Sequence, residues 1–238
     1  MLPWRSRYNP PLAWRNLTQS LTRLTLALAT ISFSVMLLFV QLGILGAVFR
    51  GATLLYDELD FDLALIAQKS VEISFSLPFS QRRLYQLEGM AGIQETQPFY
   101  LNLADWLNPE TNELRPLIVM AFRLDKPVFK SEEINRQLPQ LKQQKSVLIN
   151  RRSSKKFGSQ RTGTVTELRD REVRIGGTFT MYNSFRFDGS VITSRSNFVR
   201  YFPERSPDDI NLGLITLTPD AKPQAVKKAI QTILPRSI

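Results

Sequence analysis

The chain has 238 residues, with 31 Lys and Arg against 21 Asp and Glu, and neither histidine nor cysteine. Without imidazole or thiol there is no Ser-His or Cys-His nucleophile pair and no zinc site built from those ligands, and no disulfide can staple the fold. The net charge of +10 is unevenly spread: residues 1–23 carry Arg5, Arg7, Arg15 and Arg23 and no acid, residues 24–49 carry no charge, and residues 50–238 hold every carboxylate.

That distribution divides the chain into a leader (1–23), a membrane span (24–49) and an outer domain (50–238). In the leader, PPLAWRNLTQSLTRL sets Leu17, Leu21 and Leu24 at helical spacing among polar residues. It reads as a short interfacial helix with Trp14, Arg15 and Arg23 at the headgroup level of the bilayer. The 26 uncharged residues from Leu24 to Phe49 form a helix roughly 39 Å long, enough to cross a hydrocarbon core of about 30 Å. A cleaved signal peptide fits less well, since its apolar region is about 7–15 residues and ends in a small-residue cleavage site. Gly43, Ala47 and Gly51 recur at four-residue spacing, a face on which another helix can pack closely. The leader arginines place the N-terminus in the cytoplasm and residues 50–238 outside.

The outer region alternates strand and helix patterns, which predicts a mixed α+β domain. Alternation marks half-buried strands at Val71, Ile73, Phe75 and Leu77, at Val173, Ile175 and Phe179, and at Phe185, Phe187 and Val191. Runs at 62–67, 116–122, 146–149 and 212–217 read as more fully buried strands. Helices are expected from Ser80 to Leu87 with a serine cap, from Ser131 to Leu141, from Ser196 to Phe202 and from Pro223 to Leu234. The last is expected to bury Ala225, Val226, Ala229, Ile230, Ile233 and Leu234. Turn chemistry falls at 108–112, 125–127, Gly158, 188–189 and 203–207.

Candidate chemistry is sparse. Asp57, Glu58, Asp60 and Asp62 lack the loop glycine and final glutamate of a calcium loop and read as solvated charge beyond the span. Asp208 and Asp209 sit among prolines as a turn or cap. Gly176-Gly177 has no following Lys-Ser/Thr and lies within a strand pattern, so a bulge or a close backbone approach is expected rather than a phosphate loop. Arg151, Arg152, Lys155, Lys156 and Arg161 make a basic stretch with only Phe157 interleaved, read as a solvated loop, and nucleic acid is excluded by topology. No catalytic residue, metal or cofactor is implied.

Several segments resemble the N-terminal part of ABC-exporter permeases of the MacB/FtsX type, in particular the DevC branch. They are PLAWRNLTQSLTRL (11–24), DLALI (62–66), RRLYQLEGMAGI (82–93), PFYLNLADWLNPETNELRPLIVMAF (98–122), DKPVF (125–129), FDGSVITSRSNFVRYFPERSPDDINLGLITLTPDA (187–221) and AVKKAIQTILP (225–235). The resemblance is specific in NPETNELR and in SNFVRYFPERSPDDINLGLI, and it departs from the family pattern at 158–172. It implies an inner-membrane permease subunit with a MacB-like periplasmic core domain that docks a membrane-fusion adaptor. A separate cytoplasmic ABC ATPase would supply the energy, the subunit would work as a homodimer, and the cargo would be lipid or glycolipid-like. The family continues into further spans, so the residues up to Ile238 are expected to be a truncated permease. The alternative is a free-standing single-pass interaction or sensor protein whose outer domain binds a ligand or partner.

Overall fold

The computed structural model describes residues 20–68, 76–183 and 187–234. The chain divides into two units, Met1–Phe49 and Arg50–Ile238. Helix α1 runs Leu21–Glu58, so it begins three residues before the uncharged stretch and continues nine beyond it. Its candidate span is Leu21–Ala47. No proline interrupts it, and its apolar side chains are exposed all round, from Leu26 and Phe33 to Phe39 and Leu45, the pattern of a helix made for an apolar surrounding. Thr25, Thr30 and Ser34 turn their hydroxyls back onto the carbonyls of Leu21, Leu26 and Thr30 at 3.0, 2.9 and 2.9 Å, so these polar groups are satisfied without water.

The outer unit is built on an eight-stranded mixed sheet. Its strands are β1 (Leu63–Leu65), β3 (Ile93–Leu107), β4 (Leu114–Phe122), β5 (Ser146–Asn150), β6 (Val165–Leu168), β7 (Arg171–Phe179), β8 (Ser190–Ser194) and β10 (Leu212–Leu217), while β2 (Phe79–Ser80) pairs separately with β9 (Asp209–Ile210). The order is β1-β10-β3-β4-β8-β5-β7-β6, and β6 returns to β3 through Trp106 opposite Leu168. The 15-residue β3 therefore pairs with three strands, and β3, β4, β8, β5, β7 and β6 form a ring closed by that one contact. The pairs β4–β8 and β5–β7 are parallel. The short helices are α2 (Arg82–Tyr85), α3 (Glu132–Asn135), α4 (Leu138–Leu141), α5 (Arg195–Tyr201) and α6 (Pro223–Ile233).

Alternation along β3 and β4 sends side chains to two cores. One gathers Tyr100, Trp106, Leu117, Val119, Ile175, Phe198 and Phe202 with α6, and the Trp106 indole N–H donates to the Phe157 carbonyl at 3.1 Å. The other packs Phe99 and Phe122 edge-on against Phe129, at 5.9 and 5.6 Å between ring centres. Leu55, Tyr56 and Leu59 at and just after the last turn of α1 join this second core.

The glycine pair does make a bulge. Val147 faces Ile175 but Leu148 faces Gly177, leaving Gly176 as the extra residue of β7. A side chain at Gly176 would collide with the Ser146 hydroxyl, and one at Gly177 with the Gln137 amide. That amide covers part of the strand's open side, donating to the Thr178 carbonyl at 2.8 Å and accepting its N–H at 3.2 Å, a side-chain substitute for a neighbouring strand.

Five sequence expectations need correction. The 131–141 helix is two short helices, because Pro139 has no N–H to give the Asn135 carbonyl and its ring crowds that carbonyl, and Gln137 departs to φ −101°, ψ 4°. The early helix is only Arg82–Tyr85, with Gln81 in the cap position and no side-chain cap bond to it, although the Ser80 hydroxyl does accept the Arg82 N–H at 3.3 Å. Strand β1 is an edge strand with Leu63 and Ala64 only half buried. Helix α6 buries Val226, Ile230 and Leu234, while Ala225, Ala229 and Ile233 face outward, since a narrow sheet margin admits one i, i+4, i+8 row. Leu77 and Phe187 lie outside strands, and β8 begins at Ser190; Val71, Ile73, Phe75 and Phe185 fall outside the described residues.

Candidate functional site

Of the expected membrane-interface residues, Trp14 and Arg15 fall outside the described residues, whereas Arg23 lies exposed in the first turn of α1. Gly43 and Ala47 share one uncovered face of that helix. Nothing lies within 4 Å of where a Gly43 side chain would begin. Gly51 belongs to the same helix, at a position where only the backbone is described.

The acidic stretch after the span stitches the end of α1 to the sheet. Lys130 gives its backbone N–H to the Glu58 carbonyl at 3.0 Å and its ammonium to the Asp57 carbonyl at 3.1 Å, so the helix C-terminus meets a cation. Asp60 bonds the Val128 carbonyl, and the Asp62 carboxylate accepts the Leu217 N–H at 2.7 Å. Burial, followed by the neighbouring Asp57 charge, raises the Glu58 carboxyl above the usual range against the pull of Lys130 and Arg152. Among the described residues no three potential ligands gather around a metal position. Asp208 serves a turn: its N–H bonds the Ser206 hydroxyl at 3.3 Å and its carbonyl accepts the Gln81 N–H at 2.7 Å.

The five basic residues from 151 to 161 occupy one segment but are not equally free. Arg151 pairs with Glu133 and donates to the Thr178 and Thr180 hydroxyls at 2.7 and 2.6 Å. Arg152 stacks 4.3 Å from the centre of the Tyr182 ring. Lys155 and Lys156 stand exposed in a turn of 3-10 helix, as does Arg161 beyond it.

The two most specific sequence segments hold the fold together. In NPETNELR the Asn108 carboxamide accepts the N–H groups of Glu110 and Thr111 at 2.8 and 3.2 Å and donates to the Lys156 carbonyl at 2.9 Å. This tight turn between β3 and β4 leaves Gly158, at φ +75°, no room for a side chain: a Cβ would lie 2.5 Å from the Asn108 oxygen. In SNFVRYFPERSPDDINLGLI, Asn197 binds the carbonyls of Gln143 and Ser146 and the Lys145 N–H. Arg205, whose pKa is lowered by burial, donates to the carbonyls of Leu101 and Asp209 and to Asn211 at 2.8, 3.2 and 3.1 Å. One such residue escaped sequence reasoning. Asn150 is fully buried at the end of a run that reads as apolar, and its only sequence signal is a polar residue closing that run.

Among solved structures, the chain is similar to the periplasmic region of MacB from Actinobacillus actinomycetemcomitans, at 9% identity over 71% of this chain and 80% of that one, with a TM-score of 0.49. It is also similar to the extracellular domain of the noncanonic ABC-type transporter YknZ from Gram-positive bacteria, at 10% identity over 71% of this chain and 86% of that one, with a TM-score of 0.43. No protein-family model matches the chain, and no curated protein does.

Proposed function

We propose that the chain is the membrane anchor and outer domain of a DevC-like ABC-exporter permease. In this role it couples a cytoplasmic ATPase to a periplasmic adaptor during export of lipid or glycolipid-like cargo. It lies in the inner membrane with its N-terminus cytoplasmic, performs no hydrolysis itself, and packs against a second copy through Gly43, Ala47 and Gly51, while Trp14, Arg15 and Arg23 sit at the cytoplasmic interface. The observation that carries this proposal is the continuity of α1. One helix, Leu21–Glu58, contains the apolar stretch and ends in residues, Leu55 and Tyr56, that pack into the core of the α+β domain. A permease of this kind needs such a connection, because energy released at the ATPase has to reach the outer domain mechanically.

Tagged protein taken from native membranes in mild detergent tests the proposal. Co-purification of an ABC ATPase and an adaptor is the expected result. Recovery of neither, from a folded outer domain that binds a small ligand, would replace it with the free-standing single-pass receptor.

A further inference from the structure

Between the end of β4, the residue following α4 and the start of α5 lies an open cleft of about 630 Å3. Small-molecule sites commonly measure about 300–1,000 Å3 and combine an apolar wall with a few converging polar groups. Here the apolar part is Val199 and Pro207, and the charged part is Arg123, Lys142 and Arg195 against a single acid, Asp125.

These cations differ in what already engages them. Arg123 is paired with Asp125, its Nε lying 3.3 Å from one carboxylate oxygen. Burial alone would raise the Asp125 carboxyl, but the hydrogen bond and charge of Arg123 outweigh it and hold that carboxyl below the usual range. Arg195 gives one Nη2 hydrogen bond to the Pro207 carbonyl at 3.1 Å and lies 4.0 Å from the Asp208 carboxylate. The Lys142 ammonium has no hydrogen-bond or ion-pair partner among the described residues. With Asp125 cancelled by Arg123, the cleft keeps the charge of Lys142 and much of that of Arg195, beside the aliphatic surface of Val199 and Pro207. A water-filled cleft of this kind favours an anion with an apolar body over a bare ion, because the wall adds contact area that a bare ion cannot use.

We propose that this cleft binds a small organic anion, a phosphate or carboxylate group on a short apolar body, with Lys142 and Arg195 at the anionic group and Val199 and Pro207 against the apolar part. The site is independent of the permease proposal, since neither ATPase nor adaptor enters it. A soluble alkyl phosphate and a phosphatidate headgroup share this chemistry.

The full chain in neutral-detergent micelles is titrated calorimetrically with inorganic phosphate, hexyl phosphate and dihexanoyl phosphatidate. Hexyl phosphate is expected to bind one per chain, at least about tenfold more tightly than inorganic phosphate. Lys142→Glu is expected to weaken it by about tenfold or more, whereas Lys228→Glu, an exposed charge change on α6, leaves it unchanged; both are surface substitutions that folding tolerates. Phosphatidate binding at similar strength supports the site and assigns a lipid source, and its failure beside hexyl phosphate binding supports the site and assigns a soluble one. The proposal is overturned by no saturable binding of hexyl phosphate below about 10 mM, by equal affinity for phosphate and hexyl phosphate, or by equal losses in the two charge variants.

Discussion

Asn150→Ala offers the sharpest test of how the outer domain is held together. The Asn150 side chain donates to the Met181 carbonyl, to Asn183 and to the Ser190 hydroxyl at 2.8, 2.9 and 3.2 Å, and accepts the N–H groups of Arg152 and Met181 at 3.1 and 3.2 Å. Alanine leaves both main-chain groups of Met181, a buried residue, without these partners, and the Arg152 N–H with only water to turn to. Each buried group stranded in this way costs about 1–3 kcal/mol, so the loss is about 3–4 kcal/mol, a large share of the 5–15 kcal/mol that usually holds a domain folded. With a urea dependence of about 2 kcal/mol per molar, the unfolding midpoint falls by roughly 1.5–2 M. Trp106 reports the transition once Trp4 and Trp14 are changed to Phe, with the full chain in neutral detergent. A fall of less than about 0.3 M would refute the claim that this network bridges β5, β8 and the end of β7.

Gly158→Ala forces a side chain onto a φ of +75° and against Asn108, and should cost about 2–3 kcal/mol. Gly163→Ala, at φ +93° with open space around it, should cost only about 1 kcal/mol in the same unfolding assay. For Glu58 the folded-state pKa is raised by burial and then by Asp57, so its contribution to stability is present in full below the usual carboxylate range and is lost as pH rises through that raised pKa. Glu58→Gln should flatten that decline relative to the parent, and an unchanged pH profile would count against the raised pKa. Since the chain has no cysteine, single cysteines report topology directly: Ser196→Cys should react with a membrane-impermeant maleimide in spheroplasts and Thr22→Cys only after lysis, and the reverse would overturn the orientation. Gly43→Leu should weaken self-association of the full chain in bilayers, read by energy transfer between labelled copies, by about threefold or more; an unchanged signal removes this face from the interface.

The parts of the fold that could be read from the sequence are those where one residue pattern dominates. Residues 24–49 carry no charge, and β4, β5 and β10 are short apolar runs whose limits were placed to within about two residues. The alternation of Val173 and Ile175 likewise matches the start of β7, but the bulge at Gly176 turns Phe179 to the second core. What could not be read depends on distant neighbours. Nothing local says that β3 pairs with β10 over its first half, with β4 over its second, and with β6 at Trp106. Nor does anything local say that α6 meets only a sheet margin and so buries half of its apolar residues. The split at Gln137 leaves a local mark in Pro139, which the helical spacing across 131–141 obscures.

The same distinction applies to the candidate sites. Asn108, Asn197, Arg205 and Asn211 stand out in the sequence because they lie in its most specific segments, yet their side chains are committed to backbone groups of the domain itself. Any surface that meets an adaptor must therefore be sought elsewhere, on side chains that the fold leaves free. The cleft beside Lys142 was invisible for the opposite reason: its walls come from residues 122–125, 142 and 194–207, which only the mixed sheet brings together.

The central claim, that this is the anchor and outer domain of an exporter permease, is tested most directly by reading the coding sequence beyond codon 238 in all frames. The account predicts further apolar runs of about 20 residues, in the same frame or an adjacent one, separated by a basic cytoplasmic loop. Downstream sequence without any such run would contradict it and leave a single-pass receptor as the better description.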